Sequence, residues 1–106
     1  MRTEPIYHVF QEKGYVYMRT TVKGIRVGMA SLRPTPYGHE LDDVMVFRKH
    51  QRRGIATKMI WSGLQHCSLV RLCCTGNLIP FYEKIGFKVI EEKCSEKSKV
   101  RMEWKK

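Results

Sequence analysis

The sequence has no long apolar run, half as many acidic as basic residues, and no cysteine pattern that suits a metal. No window of the 106 residues approaches the roughly 18 consecutive apolar residues of a membrane-spanning helix, so no membrane partner is expected. The start, Met1-Arg2-Thr3-Glu4-Pro5, is too polar for a secretory signal, and the expected address is cytoplasmic. Of the four cysteines, Cys73 and Cys74 are adjacent, while Cys67 and Cys94 lie in no C-x-x-C pattern. Reduced thiols are therefore expected rather than a disulfide framework. His8, His39, His50 and His66 have no helical i, i+4 partner and no cysteine at zinc spacing, so no metal is expected. With no internal repeat, low-complexity tract or linker, residues 1–106 read as a single domain.

What is present is positive charge. Twenty Lys and Arg against ten Asp and Glu give a net charge of +10, while 42% hydrophobic residues and eleven aromatics supply a small core and argue against intrinsic disorder. Such a charge favours anionic partners: nucleic acid, an acidic protein or a phosphorylated cofactor. The densest basic run is Arg48-Lys49-His50-Gln51-Arg52-Arg53, and it ends in Gly54.

Tyr15 to Val22 and Ile25 to Leu32 are β-branched and aromatic runs around Lys23-Gly24, a hairpin with the glycine at the turn. Ile6 to Phe10 adds a short strand before it. Arg33-Pro34-Thr35-Pro36-Tyr37-Gly38 is turn chemistry, and a strand from about Glu40 through Leu41 to Phe47 follows. Beyond Gly54, Ala56, Met59, Ile60, Gly63 and Cys67 share one helical face. Leu69 to Cys74 reads as a buried strand. Asn77 is placed to cap a short helix carrying Leu78, Phe81, Tyr82 and Ile85 on one stripe, stopped by Gly86. Phe87 to Glu92 and the alternating Val100, Met102 and Trp104 complete the strands.

A strand that runs through a basic loop into a glycine-opened helix presents unpaired N–H groups and the positive end of the helix dipole, a setting suited to phosphate. Arg52 and Arg53 add charge-assisted donors. The spacing is neither that of a Walker loop nor that of a dinucleotide fold.

Val44-Met45-Val46 followed by Gln51-Arg52-Arg53-Gly54-Ile55-Ala56 resembles the acyl-CoA motif Q/R-x-x-G-x-G/A of the GNAT superfamily of N-acetyltransferases. Asn77-Leu78-Ile79-Pro80-Phe81-Tyr82-Glu83-Lys84-Ile85-Gly86-Phe87 resembles the second block of that family, in the right order and with a strand between. The resemblance implies an α+β fold: a splayed, mostly antiparallel mixed sheet flanked by two principal helices. It also implies that a pantetheine arm lies along Val44, Met45 and Val46. Gln51, Arg52, Arg53, Gly54, Ile55, Ala56 and Thr57 would cradle the pyrophosphate, with Asn77 and Tyr82 on the far side of the cofactor. Acetyl-CoA is the implied co-substrate, and no metal is implied.

The implied reaction is direct attack of a neutral amine on the thioester in a ternary complex, with Glu40 or Asp42 as general base and Tyr82 as general acid. The chain departs from the family in having only Gln11 to Gly14 where larger members carry helices, and Arg52 where a glycine is common. The shortened region fits an acceptor site open to a protein or peptide amine, or one completed by a second subunit as a homodimer. Acetyl-CoA brings about four negative charges, less than the +10 of the chain, which points to an acidic protein or peptide as acceptor. The competing readings are a non-catalytic basic module of the same fold that binds nucleic acid or an acidic protein, and an acyl-CoA sensor.

Overall fold

The computed structural model describes residues 4–106. The polar start read at positions 1–3 lies outside them. Seven strands form one sheet in the order β1-β2-β3-β4-β5-β7-β6. The strands are β1 (Ile6–Glu12), β2 (Tyr15–Val22), β3 (Ile25–Thr35), β4 (Gly38–Val46), β5 (Leu69–Thr75), β6 (Lys88–Val89) and β7 (Lys99–Lys105). Two α-helices, α1 (Ile55–Leu64) and α2 (Ile79–Ile85), follow β4 and β5. Every strand pair is antiparallel except β4 with β5. The fold is the mixed α+β arrangement expected.

Alternation decides which face is covered. Val16, Met18, Thr20 and Val22 of β2 point to one face and are buried, whereas Tyr15, Tyr17, Arg19 and Thr21 point to the other. Both helices pack on the buried face: Met59, Ile60 and Leu64 of α1 and Tyr82 and Ile85 of α2 share one core with Leu72, Phe87 and Met102. The apolar stripe of α1 also takes in Ile55 and Leu64, so that it is rotated slightly from the face read in the sequence, with Ala56 half-buried. Gly63 lies where a Cβ would run into the side chain of Met18, which lets the helix sit close on β2.

The turn read over residues 33–38 shrinks to Pro36 and Tyr37. Pro34 remains in β3, opposite His39, because β3 has there outrun its pairing with β2 and no ladder on that side needs the missing N–H. The strand expected over Phe87 to Glu92 is confined to Lys88–Val89, since the Phe87 side chain turns into the core.

The expectation of four reduced thiols is overturned: Cys73 and Cys94 form a disulfide, with Cα atoms 6.1 Å apart. Cys73 and Cys74 alternate across β5, so Cys74 enters the core while Cys73 faces out and meets Cys94. The bridge ties the segment after β6 to the uncovered face of the sheet, and thiol chemistry lends no support to a cytoplasmic address. Buried Cys67 remains a thiol, its pKa pushed up to about 11 by burial.

Four buried side-chain polar atoms have no partner among the described residues, and that of Thr20 lies deepest. Thr20 is fully buried and its Oγ1 makes no hydrogen bond. Replacing it by valine keeps the shape and removes the unpaired hydroxyl, so Thr20→Val is expected to raise stability by about 1 kcal/mol. Urea unfolding checks this, and a loss of stability would mean that the hydroxyl is satisfied in solution.

Candidate active site

β4 and β5 run parallel, and their pairing consists of two residue pairs, His39 with Val70 and Glu40 with Arg71. Beyond these the strands diverge. From Leu41 to Val46 the β5-facing edge of β4 carries no strand ladder among the described residues. The register with β3 also slips between Met29 and Ser31, because Asp43 takes a positive φ of 49° and makes a bulge in β4. The result is a cleft that opens toward the carboxyl ends of both strands, where parallel strands commonly bind ligands.

One lip of the cleft is the junction of β4 with α1. A 3₁₀ turn at Arg48–His50 leads into Gln51, and Gln51 Nε2 donates to the Val46 carbonyl at 3.0 Å, tying the loop to the end of β4. Arg52 and Gly54 both adopt positive φ, 64° and 76°. This contorted approach ends in a helix with no side-chain cap and no acidic residue in its first turn. The first intrahelical bond is made by Lys58 N–H to the Gly54 carbonyl, which leaves the amides of Ile55, Ala56 and Thr57 as orphan donors at the positive end of the dipole. Arg52 and Arg53 are exposed beside them, and an Arg53 guanidinium nitrogen lies 3.1 Å from His50 Nδ1. The arrangement is a concave cluster of N–H groups flanked by guanidinium groups, suited to phosphate.

The other lip follows β5. Gly76–Leu78 is a 3₁₀ turn and α2 begins at Ile79. Asn77 is therefore not the helix cap expected. Its Oδ1 accepts from Thr75 Oγ1, and the residue is exposed at the end of β5. Tyr82 is buried on α2, with its ring edge-on to Phe81 at 4.9 Å and to Phe87 at 5.7 Å. Gly86, at a φ of 119°, lets the chain turn so that the amides of Gly86 and Phe87 both donate to the Tyr82 carbonyl. Burial, and then the neighbouring Cys74, raise the pKa of the Tyr82 hydroxyl above its ordinary value, so it stays protonated.

The carboxylates proposed from the sequence lie on the uncovered face. Glu40 is held from both sides, Oε1 3.1 Å from Arg101 and Oε2 3.4 Å from Arg33. Asp42 accepts from Arg33 Nε at 3.0 Å. Asp43 is exposed at the bulge and makes no ion pair among the described residues. A positive φ at a residue other than glycine leaves no mark in the sequence, so nothing there singled it out.

The comparisons with known proteins agree with this geometry. The family model for the acetyltransferase (GNAT) domain matches residues 1–106. No curated protein sequence matches the chain. Among solved structures, an N-acetyltransferase, Paia, of Thermoplasma acidophilum in complex with coenzyme A superposes with a TM-score of 0.74 at 18% identity, over 87% of this chain and 61% of that one. This chain thus spans less than two thirds of that relative. A GNAT family acetyltransferase of Elizabethkingia anophelis with acetyl-CoA bound gives a TM-score of 0.76 at 10% identity, over 98% of this chain and 99% of that one. The IAA acetyltransferase of Bacillus cereus gives 0.76 at 14%, over 96% and 99%. The diverging parallel strands, the uncapped basic helix start and the full-length family match lead to one conclusion: the chain belongs to the GNAT acetyltransferase family.

Proposed function

We propose that this protein transfers an acetyl group from acetyl-CoA to a primary amine, by direct attack of the amine within a ternary complex. The observation that carries the reading is the unpaired edge of β4, which an extended pantetheine arm completes as an added strand would. One lone pair of the Val46 carbonyl is already taken by Gln51, so Val44, Met45 and the remaining groups of Val46 hold the arm. The pyrophosphate then meets the amides of Ile55, Ala56 and Thr57 and the side chains of Arg52 and Arg53. Asn77 lies across the cleft, at the end of β5.

In the reaction the amine nitrogen bonds to the thioester carbon and the C–S bond breaks. The departing thiolate takes the hydroxyl proton of Tyr82, and the surplus proton of the amine passes to a carboxylate. Glu40 is the carboxylate assigned by its position six residues before Val46, and it acts within its pair of guanidinium groups. Amides at the bulge polarise the thioester carbonyl. The acceptor is the amine of an acidic protein or peptide, in keeping with the net charge of +10.

Titration calorimetry with acetyl-CoA at moderate salt tests the cofactor site. The wild type is expected to bind in the micromolar range. A Cβ at Gly54 meets no atom within 4 Å, but the φ of 76° strains any side chain there, so Gly54→Ala is the control for Gly54→Glu, which alone places a carboxylate in the cradle. Read against that control, the glutamate variant is expected to weaken binding by about 30-fold or more, two charge-assisted bonds being lost. No heat from the wild type, with duplex DNA bound instead, would replace this reading by that of a basic nucleic-acid module.

A further inference from the structure

The face of the sheet that neither helix covers holds a cavity of about 250 Å³, lined among others by Phe10, Tyr17, Arg19, Arg26, Met29 and Asp43. It lies not in the cleft but across β1 to β4, and it reaches β4 at the bulge, one residue before the Val44–Val46 edge. Its wall is aromatic and stiff: Phe10 stacks on Tyr17 at 5.2 Å, and Tyr17 on Tyr15 at 5.6 Å. The Arg19 guanidinium rests over the Phe10 ring at 5.5 Å and so is held at the rim. Arg19 faces Met29 across the ladder, and Arg26 lies farther along the same face, opposite Thr21. Neither arginine forms a salt bridge among the described residues. The cavity therefore presents two unpaired guanidinium groups and, at the end nearest the cleft, one unpaired carboxylate.

We propose that this cavity is the acceptor subsite, and that it takes a single residue-sized amine that also carries an acidic group. The inference rests on the acetyl-transfer reading and adds the acceptor class to it. The ammonium of the acceptor pairs with Asp43, which sits beside the strand edge where the thioester lies. Before the attack the acceptor releases one proton to water and becomes the neutral amine, whose surplus proton then passes to Glu40. The acceptor's carboxylate pairs with Arg19 and Arg26, and its aliphatic part lies on Tyr17 and Met29. A volume below the ~300–1,000 Å³ of drug-sized sites suits one residue rather than an extended peptide. The mixed lining selects against neutral amines, which leave the arginines without a partner, and against basic ones, which the arginines repel. This chemistry is offered by a free acidic amino acid and by the first residue of an acidic peptide.

The test measures the CoA thiol released from acetyl-CoA with free glutamate, an Asp-Asp-Ala peptide, a Lys-Lys-Ala peptide and a neutral alkylamine as acceptors. In parallel, the same four acceptors are titrated into ¹⁵N-labelled protein without cofactor, and the amide signals of residues 17–19 and 29–31 are followed. Acidic amines are expected to be preferred over the Lys-Lys-Ala peptide by about tenfold or more, as one lost charge pair implies, and to shift those signals. The glutamate and Asp-Asp-Ala arms distinguish the two sources. Arg19→Glu with Arg26→Glu is expected to invert the preference while acetyl-CoA affinity holds. Equal use of all four amines, or a double variant that keeps the acidic preference, overturns the inference and leaves acetyl transfer standing. Acidic amines that shift the signals without any acetyl-CoA binding show a site for acidic amines but overturn the transferase reading, and with it the role of the cavity as an acceptor subsite.

Discussion

Gly38→Ala is expected to lower the free energy of unfolding by about 3 kcal/mol, far more than an exposed turn residue warrants. Gly38 opens β4 at a φ of 152°, and a Cβ built there lies 3.2 Å from the Leu69 carbonyl carbon and closer still to its oxygen. The obstacle is backbone at the start of β5, so no rotamer change relieves it. Gly38 immediately precedes His39 and Glu40, whose pairs with Val70 and Arg71 are the β4–β5 ladder among the described residues. To admit the methyl group the two strands must part at the vertex of the cleft, and overpacking of this kind costs roughly 1–3 kcal/mol before the loss of pairing is added. The melting temperature is expected to fall by about 12 °C or more, at the roughly 4–8 °C per kcal/mol typical of a domain near this size. Because the vertex sets the angle of the splay, acetyl-CoA affinity falls with it. Calorimetric unfolding and a cofactor titration read the two effects. A variant within about 0.5 kcal/mol of the wild type would show that β4 and β5 are not held together at Gly38.

Much of this geometry is legible in the sequence, because the features that carry it are local. Alternation at Val16, Met18 and Val22 and at Val100, Met102 and Trp104 marks half-buried strands. Gly54 and Gly86 mark the backbone reversals at the start of α1 and the end of α2, and both adopt positive φ. What escapes the sequence depends on neighbours brought together in space. The Cys73–Cys94 bridge spans 21 residues and needs β5 and the segment after β6 to meet. The bulge at Asp43 slips the register between β3 and β4, and no residue type announces it. Glu40 stands where the family resemblance puts a base, but the two guanidinium groups that hold it come from β3 and β7, 7 and 61 residues away in the chain. Asn77 is a good capping residue that the 3₁₀ turn at Gly76–Leu78 displaces from the capping position. Local chemistry thus locates the two lips of the cleft, while the charges facing it become visible only when distant strands are laid side by side.

Tyr82→Phe is expected to reduce kcat by about 100-fold, within the range removed with a general acid, while acetyl-CoA affinity holds. The ring of Tyr82 packs edge-on against Phe81 and Phe87 inside the core, and phenylalanine keeps those contacts. The variant therefore folds, and only the hydroxyl is lost. Burial, with Cys74 adding to it, raises the Tyr82 pKa above its ordinary value, so the phenol remains a proton donor at neutral pH. The Tyr82-dependent part of the rate is constant below that pKa and falls only as pH rises through it, where the proton is gone. In the phenylalanine variant this alkaline limb disappears together with the rate. The protein surroundings that weaken Tyr82 as an acid also disfavour a bare thiolate beside it, so the transfer becomes favourable as the C–S bond breaks. Stopped-flow measurement of CoA release, with free glutamate as acceptor or with water in its place, reads kcat, and calorimetry reads affinity. An unchanged rate removes Tyr82 from the chemistry. A loss of affinity matching the loss of rate makes its hydroxyl a binding group, and only a fall in kcat at constant affinity assigns it the proton that the leaving thiolate receives.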